Sequence, residues 1–217
     1  MKRVREAWVF DLDNTLYPAD NTIYDAIGDK MTAYVARAAG LDLAAGEKLR
    51  EHYFLTYGAT VVGLVRHHGV DAADFMADVH DVDMSVVKPD LPLNDLIAAL
   101  PGRRIVFTNG GADYARRMIK QLALEAHFET IVDLESTGLI PKPEMGAYTH
   151  LVEACALDPG RTMLIEDTLR NLEPAHALGF ETALVGPVHP APRPAYLDHT
   201  AHDVKALLRE LLDCLPA

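Results

Sequence analysis

Two carboxylates, Asp11 and Asp13, follow the apolar run Ala7–Phe10 near the start of the 217-residue chain. Side chains two positions apart on an extended chain point the same way, so both emerge together at the carboxyl end of a predicted buried strand. Neighbouring carboxylates repel each other unless a cation lies between them or one carries a proton. The pair therefore indicates cation binding or proton transfer, although an Asx-type turn with two solvated acids has the same sequence signature.

A second polar segment, Thr108-Asn109-Gly110-Gly111, stands between an apolar run and a predicted helix. A hydroxyl, an amide and backbone N–H groups at the start of a helix can bind an anion. An ordinary strand-to-helix turn with good capping residues has the same composition. This segment gains meaning only together with the other strand ends.

A third candidate is Lys142, which lies between Pro141 and Pro143 just before a predicted helix. Proline on both sides restricts the backbone and limits where the lysine side chain can point, a restriction that a solvated surface lysine does not need. Pro143 is also an ordinary residue at a helix start, so a capping role stays open.

The fourth candidate segment is the acidic pair Glu166 and Asp167, which follows the apolar run 163–165. Carboxylates at the end of a buried strand suit a hard cation, but acids at a helix start also complement the helix dipole. Asn171 stands one turn into the next predicted helix. Four polar strand ends together favour a functional site over four unrelated turns.

The elements that must position these residues change character along the chain. Residues 6–13 are strand-like, and residues 21–81 are helical. The first helix begins at the candidate caps Asn21 and Thr22 and ends at Gly40, and the others cover 44–57, 61–68 and, after the cap Asp71, 72–80. Strands and helices then alternate, with strands predicted over 104–108, 130–133, 162–166 and 181–185, and helices over 93–100, 112–122, 144–155 and 169–178. The proline-rich segment 186–199 is predicted to be an irregular surface connection, and a final helix is predicted over 201–214.

This order predicts an α/β fold, a Rossmann-like parallel sheet covered by helices on both faces. A small all-helical cap interrupts it after the first strand. We expect residues 1–16 plus 89–217 to form the core and residues 17–88 the cap. Parallel sheets bind ligands at the carboxyl ends of their strands, where the candidate residues stand.

Composition limits the possible partners. The net charge of −12 excludes a nucleic-acid polymer or an anionic membrane as the expected partner, because both require a cationic surface. Cys155 and Cys214 match no metal-ligand spacing and are expected to be reduced thiols. The apolar run after Lys2, Arg3 and Arg5 is too short for a signal peptide, so we expect a cytoplasmic protein.

The chain resembles the haloacid dehalogenase superfamily of phosphotransferases. The resemblance is carried by Asp-x-Asp-x-Thr at 11–15, the strand-end Thr108, Lys142-Pro143 and Glu166-Asp167, and the helical insert sits where the first-type cap of that superfamily does. Segments at 14–18, 57–60, 63–64, 68–71 and 107–110 are similar to the pyrimidine 5′-nucleotidase branch.

The resemblance implies roles for the catalytic and phosphate-binding residues. Asp11 is expected to be the nucleophile that forms an aspartyl-phosphate. Asp13 is expected to protonate the leaving oxygen and then to take a proton from the hydrolytic water. The expected phosphate-binding residues are Thr108, Asn109, Gly110 and Lys142, and Lys142 would also offset the charge of Asp11.

The resemblance also implies a Mg²⁺ cofactor. The expected metal-binding groups are the Asp11 carboxylate, the Asp13 backbone carbonyl and Asp167. Glu166 stands where related chains often have another Asp, which leaves open whether it reaches the metal directly or through water. Asn171 is expected to orient Asp167 or Lys142 from behind the metal ligands.

Several functions are compatible with these residues. The leading one is hydrolysis of a small phosphorylated metabolite, with pyrimidine nucleoside 5′-monophosphates (UMP and CMP) as the expected substrates, by a monomer or homodimer. The alternatives are a phosphatase or phosphomutase acting on a sugar phosphate, a carbon–halogen hydrolase and a non-catalytic phosphometabolite-binding protein. Binding alone would not require a nucleophile and an acid together, and the carbon–halogen branch lacks an acid equivalent to Asp13.

Aromatic and histidine side chains in the cap leave two readings open. The candidates are Tyr53, Phe54, Tyr57, His52, His67 and His68. The aromatic residues could stack on a nucleobase, but an aromatic stripe at helical spacing is more often core packing. The histidines lack metal-ligand spacing and are expected to be solvated or capping.

Overall fold

Six parallel strands form one sheet in the computed structural model, which describes residues 5–17 and 22–214. Within those residues the strand order is β3-β2-β1-β4-β5-β6. The strands are β1 (Ala7–Phe10), β2 (Arg103–Phe107), β3 (Thr130–Val132), β4 (Thr162–Glu166), β5 (Glu181–Val185) and β6 (His199–Ala201). The chain order reverses at β1, which lies between β2 and β4, so the first strand is at the centre of the sheet.

The described residues form nine α-helices, four in the insertion after β1 and five on the two faces of the sheet. They are α1 (Thr22–Ala39), α2 (Leu43–Tyr57), α3 (Thr60–His68), α4 (Ala72–Val79), α5 (Leu91–Ala99), α6 (Ala112–Gln121), α7 (Met145–Ala154), α8 (Leu172–Leu178) and α9 (Val204–Asp213). Asp71 caps α4 as predicted, by accepting hydrogen bonds from the backbone N–H groups of Ala73 and Asp74. The other candidate cap, Asn21, lies outside the described residues.

The pleat of β1 explains the two-sided core. Trp8 and Phe10 pack with helices α5, α6 and α9, whereas Ala7 and Val9 pack with α7 and α8. Successive side chains on a strand face opposite sides of the sheet, and a central parallel strand is buried on both. The predicted fold class, an α/β parallel sheet of Rossmann-like type with a helical insertion after β1, is confirmed.

Helices α1–α4, which we call the helical insert, have a hydrophobic cluster of their own. Val35, Leu64 and Phe75 are buried in it. Its helices are close together: a Cβ atom on Gly63 would lie 2.3 Å from Cγ of Tyr53. Gly63 is therefore needed for helix packing. The division of the chain into a core and a cap at residues 16/17 and 88/89 stays a prediction.

The prediction for the carboxyl-terminal region was wrong in one respect. Residues 199–201, assigned to a surface connection and a helix start, form β6, which pairs in parallel with β5. The helix begins later, at Val204, and Asp203 caps it. A three-residue strand is too short to show alternation, so its pairing depends on the exposed backbone of β5.

Two further observations concern the whole described chain. Both cysteines are free; Cys155 is buried and Cys214 is exposed. Across residues 5–17 and 22–214, every helix is too short or too polar to cross a lipid bilayer.

Candidate active site

The candidate site lies at the carboxyl ends of β1, β2 and β4. These strands are neighbours in the sheet, so the polar residues that follow them converge on one cavity of about 470 Å³. All nine predicted site residues line it: Asp11, Asp13, Thr108, Asn109, Gly110, Lys142, Glu166, Asp167 and Asn171. The expectation that these residues come together agrees with the structure.

Lys142 is the buried cation at the centre of the site. Its Nζ donates hydrogen bonds to Asp11 Oδ1 at 2.6 Å, to the Phe107 backbone oxygen at 2.9 Å and to Glu166 Oε1 at 3.0 Å. Burial alone lowers the pKa of Lys142, but the Asp11 and Glu166 carboxylates outweigh it and raise the pKa above its ordinary value. The lysine therefore stays charged beside Asp11.

Glu166 is held by four donors. Its Oε1 accepts from Lys142 and from the Asn171 side-chain amide, and its Oε2 accepts from the backbone N–H groups of Asp167 at 2.7 Å and Thr168 at 3.1 Å. Burial would raise the pKa of Glu166, but Lys142 and these hydrogen bonds together lower it.

These bonds give Glu166 and Asn171 positioning roles. A carboxylate has about four lone-pair sites, and all four of Glu166 are occupied, although one of its oxygens lies within 4.8 Å of oxygens of Asp11 and Asp167. The geometry favours a contact with Lys142 over ligation of a cation. Asn171 contacts Glu166 and not Asp167 or Lys142, so its predicted partner was wrong.

At Asp11 and Asp167, Lys142 does not fully offset burial and the repulsion between neighbouring acids. Burial and then Glu166 raise the pKa of Asp167 to about 7, and burial together with the neighbouring acids raises the pKa of Asp11 well above its usual range despite Lys142. Asp167 accepts one hydrogen bond, from Thr168 Oγ1 at 3.2 Å. Carboxyl oxygens this close together fit a hard divalent cation such as Mg²⁺, which would favour their charged forms.

The Asn109 side chain makes two contacts that were not predicted. Its side-chain Nδ2 donates to the Lys142 backbone oxygen at 3.0 Å, and its Oδ1 accepts from the Lys142 backbone N–H at 2.8 Å. The side chain thus holds the Lys142 segment against the end of β2. Because the amide nitrogen has a second hydrogen, phosphate binding by Asn109 stays a prediction.

Thr108 keeps its predicted capacity to bind a phosphoryl group. Its Oγ1 accepts a hydrogen bond from the Gly110 backbone N–H at 2.9 Å. Because the oxygen acts as an acceptor there, the hydroxyl proton is available for an anionic oxygen in the cavity.

Two tyrosines that the sequence analysis did not single out hold Asp13. The hydroxyl groups of Tyr17 and Tyr114 both contact Asp13 Oδ1, Tyr114 at 2.7 Å, and lie 2.8 Å from each other. Burial and then Asp13 raise the pKa of both phenols, so they remain donors. His80 stacks on Tyr114 with ring centroids 4.3 Å apart.

A sequence signal for these tyrosines existed. Tyr17 follows Asp13 by four residues, and Tyr114 stands in the first turn of the helix after β2. Only the adjacency of β1 and β2 shows that both reach one carboxylate.

The helical insert forms the opposite wall of the cavity. Phe54 lines it, with the Arg170 guanidinium 4.6 Å from its ring centre. Tyr53 is buried and stacks on His67 with ring centroids 5.5 Å apart, which agrees with the packing interpretation. The His67 and His68 rings bond to the hydroxyls of Tyr57 and Tyr53. The other insert residues at this wall are Tyr24, Ile27, Met31, Glu47, Arg50, Glu51, Gly58, Ala59, Thr60, Val61, Phe75 and Met76.

The fold and the converging acids define a class of enzyme. Residues 6–179 match the model of the haloacid dehalogenase-like hydrolase family, and the chain belongs to this family.

Individual relatives are more distant. The chain is 26% identical to N-acetylmuramic acid 6-phosphate phosphatase of Pseudomonas aeruginosa, over 99% of this chain and 100% of that protein. It is 27% identical to Phosphate metabolism protein 8 of Saccharomyces cerevisiae over 58% of this chain, and the match spans only 43% of the yeast protein. The solved structure of L-2-haloacid dehalogenase from Xanthobacter autotrophicus has the same fold, with a TM-score of 0.63, 18% identity and coverage of 98% of this chain and 100% of that chain.

Proposed function

We propose that this protein is a Mg²⁺-dependent phosphomonoester hydrolase that works through an aspartyl-phosphate on Asp11. The observation that carries the proposal is the arrangement of two acids after β1. Asp11 is buried against Lys142, whereas Asp13 is held by two phenols and faces the same cavity. One acid is thus set as a nucleophile and the other as a proton carrier.

In the first step, a carboxylate oxygen of Asp11 bonds to phosphorus and the bond from phosphorus to the leaving oxygen breaks. Asp13 gives its proton to that leaving oxygen. Lys142 holds Asp11 Oδ1 at 2.6 Å, which leaves the other carboxylate oxygen to attack. Thr108 donates its hydroxyl proton to a phosphoryl oxygen and so stabilises the charge that develops there.

In the second step, Asp13 takes a proton from a water molecule whose oxygen attacks phosphorus. The bond between phosphorus and Asp11 breaks, inorganic phosphate leaves, and both acids return to their starting states. The contacts of Tyr17 and Tyr114 with Oδ1 of Asp13 keep that carboxyl in one orientation through both steps.

The groups that would hold Mg²⁺ are the Asp11 carboxylate, the Asp167 carboxylate and the Asp13 backbone carbonyl. When bound, the ion supplies positive charge that offsets the phosphoryl oxygens and the acidic cluster. Glu166 supports this site from behind by holding Lys142.

For the substrate, the sequence segments shared with the pyrimidine 5′-nucleotidase branch favour UMP and CMP. The full-length similarity to an N-acetylmuramic acid 6-phosphate phosphatase favours a sugar phosphate instead. The presence of Asp13 favours hydrolysis of either phosphate ester over carbon–halogen hydrolysis, because the latter needs no acid for the leaving group. Steady release of phosphate from simple esters would separate a phosphatase from a phosphomutase.

The test is Asp11→Asn, with Asp95→Asn on the exposed face of α5 as the matched control. Phosphate release is measured with Mg²⁺ on UMP, CMP and hexose phosphates, and again after chelation. We expect Asp11→Asn to lose activity by at least about a thousandfold while its circular dichroism stays unchanged. We expect Asp95→Asn to match the wild type and chelation to stop turnover. Near-wild-type activity of Asp11→Asn would remove the nucleophile assignment, and turnover that survives chelation would remove the metal.

A further inference from the structure

Arg50 of the helical insert lines the catalytic cavity, and its side chain has no hydrogen-bond or ion-pair partner among the described residues. It belongs to α2, and its Nε is buried with no hydrogen-bond acceptor in the described chain. No ion pair joins it to a carboxylate of residues 5–17 or 22–214. A buried N–H without an acceptor is costly, so a guanidinium left this way is prepared for a ligand.

The position of Arg50 relates it to the reacting acids. It lies where α1 and α2 meet, with Nη1 3.4 Å from the place that a Cβ on Gly28 would occupy. Tyr24 also lines the cavity, and the charges of Asp13 and Arg50 both affect its pKa. Burial and then Asp13 raise its pKa, whereas Arg50 opposes the rise. Arg50 therefore lines the same cavity as Asp11 and Asp13.

The other cations around the cavity are already engaged. Lys142 is bonded to Asp11 and Glu166, and Arg170 lies on the ring of Phe54. Within the described insert, Arg50 is the one lysine or arginine on the cavity wall. The cavity thus has a phosphoryl end at Asp11 and, on the insert wall, one arginine beside two acids, Glu47 and Glu51, with which it forms no ion pair among the described residues.

We propose that Arg50 binds an anionic group on the leaving portion of the substrate, a carboxylate or a second phosphate. This rests on the proposed phosphatase function and narrows its substrate to esters with two anionic ends. A planar guanidinium matches the two oxygens of a carboxylate or phosphate, which a neutral sugar or nucleoside does not offer. The inference favours a sugar-acid phosphate or bisphosphate over a nucleoside monophosphate.

The test compares Arg50→Met and Arg50→Lys with Lys48→Met, an exposed lysine of the same helix that does not line the cavity. N-acetylmuramic acid 6-phosphate is compared with N-acetylglucosamine 6-phosphate, which lacks its carboxylate. Glucose 1,6-bisphosphate is compared with glucose 6-phosphate, which lacks its second phosphate. p-Nitrophenyl phosphate gives the basal activity, and circular dichroism checks folding.

For at least one anionic substrate, we expect Arg50→Met to raise KM by about tenfold or more, as for loss of a charge-assisted hydrogen-bonded pair. In Arg50→Met, the KM for the matched neutral substrate and for p-nitrophenyl phosphate should change by less than about threefold. The KM of Arg50→Lys for the anionic substrate should lie between those of Arg50→Met and the wild type, and Lys48→Met should match the wild type. The pair that responds identifies carboxylate or phosphate as the ligand.

Equal losses on neutral and anionic substrates would place Arg50 at the transferred phosphoryl group and overturn the inference. So would a wild-type enzyme that hydrolyses p-nitrophenyl phosphate but shows no lower KM for either anionic substrate. A wild-type protein that hydrolyses none of the five esters and neither UMP nor CMP would instead overturn the proposed function, and the Arg50 inference with it.

Discussion

At the scale of single residues, the site is organised around one buried lysine. Lys142 is 2% exposed and joins Asp11 to Glu166, while Asn109 holds its backbone on both sides. A buried charge is tolerated only when it is paired and hydrogen-bonded, so the lysine and its two acids depend on one another. The flanking prolines restrict the backbone around Lys142, as the sequence indicated. The two hydrogen bonds of Asn109, which follows β2, fix that backbone further.

Lys142→Met is expected to abolish phosphatase activity and to destabilise the protein by about 3–5 kcal/mol, because it leaves two buried carboxylates unpaired. Adding Glu166→Gln removes one of those charges and should recover part of the stability while activity stays absent. Urea unfolding followed by the fluorescence of Trp8, the single tryptophan, measures both variants. A Lys142→Met protein as stable as the wild type would contradict this account of the cluster.

At the scale of elements, Glu181 ties three parts of the sheet together. Standing at the start of β5, it accepts from Arg5 before β1 at 2.6 and 2.7 Å and lies 2.6 Å from the His199 ring of β6. Burial would raise the pKa of Glu181, but the His199 hydrogen bond and Arg5 outweigh it and lower the pKa to about 2. The carboxylate thus holds the short strand β6 and the chain before β1 at the amino-terminal edge of the sheet.

Glu181→Gln is expected to lower the free energy of unfolding at pH 7 by about 0.5–1 kcal/mol, since the group is one-third exposed and screened by solvent. An acid with a lowered folded pKa stabilises above its unfolded value, near 4.5, and loses this contribution as the pH falls through about 2. The gap in the free energy of unfolding between wild type and Glu181→Gln should therefore narrow from pH 5 to pH 2. The exposed Glu210→Gln serves as control, and a gap independent of pH would argue against this ion pair.

At the scale of the whole molecule, apolar side chains of the helical insert pack in the hydrophobic core of the sheet, and one from beside the sheet packs in the core of the insert. Ile23 and Ile27 of α1 belong to the cluster that contains Trp8, and Leu134, which follows β3, belongs to the cluster of the insert. Because each part buries side chains of the other, we expect the two to unfold together.

Phe75→Ala tests this coupling. Phe75 is fully buried in the insert, and its truncation should cost about 3–5 kcal/mol. Although Trp8 lies in the sheet, the urea midpoint reported by its fluorescence should be lower in Phe75→Ala than in the wild type. The exposed Leu55→Ala should leave that midpoint unchanged. An unaltered Trp8 midpoint in Phe75→Ala would mean that the insert unfolds independently of the core.

Much of the site could be predicted because its residues follow buried strands. Asp11, Thr108 and Glu166 each stand where an apolar run ends, and parallel strands present such ends at one edge. The side-chain partners could not be predicted in the same way. Asn109 binds the Lys142 backbone and Asn171 binds Glu166. Each had several possible donors and acceptors within reach, so the sequence does not indicate which one it contacts.

By itself, the sequence determined the α/β class, the insertion after β1 and the set of polar strand ends, because hydrophobic periodicity and strand-end polarity are local properties. Only the tertiary structure decided what each polar group contacts: Tyr17 and Tyr114 on Asp13, four donors on Glu166, the Nε of Arg50 without an acceptor among the described residues, and β6 on the edge of β5. These contacts join residues far apart in the chain, and hydrogen bonds form between whichever groups the packing brings within 3 Å of each other.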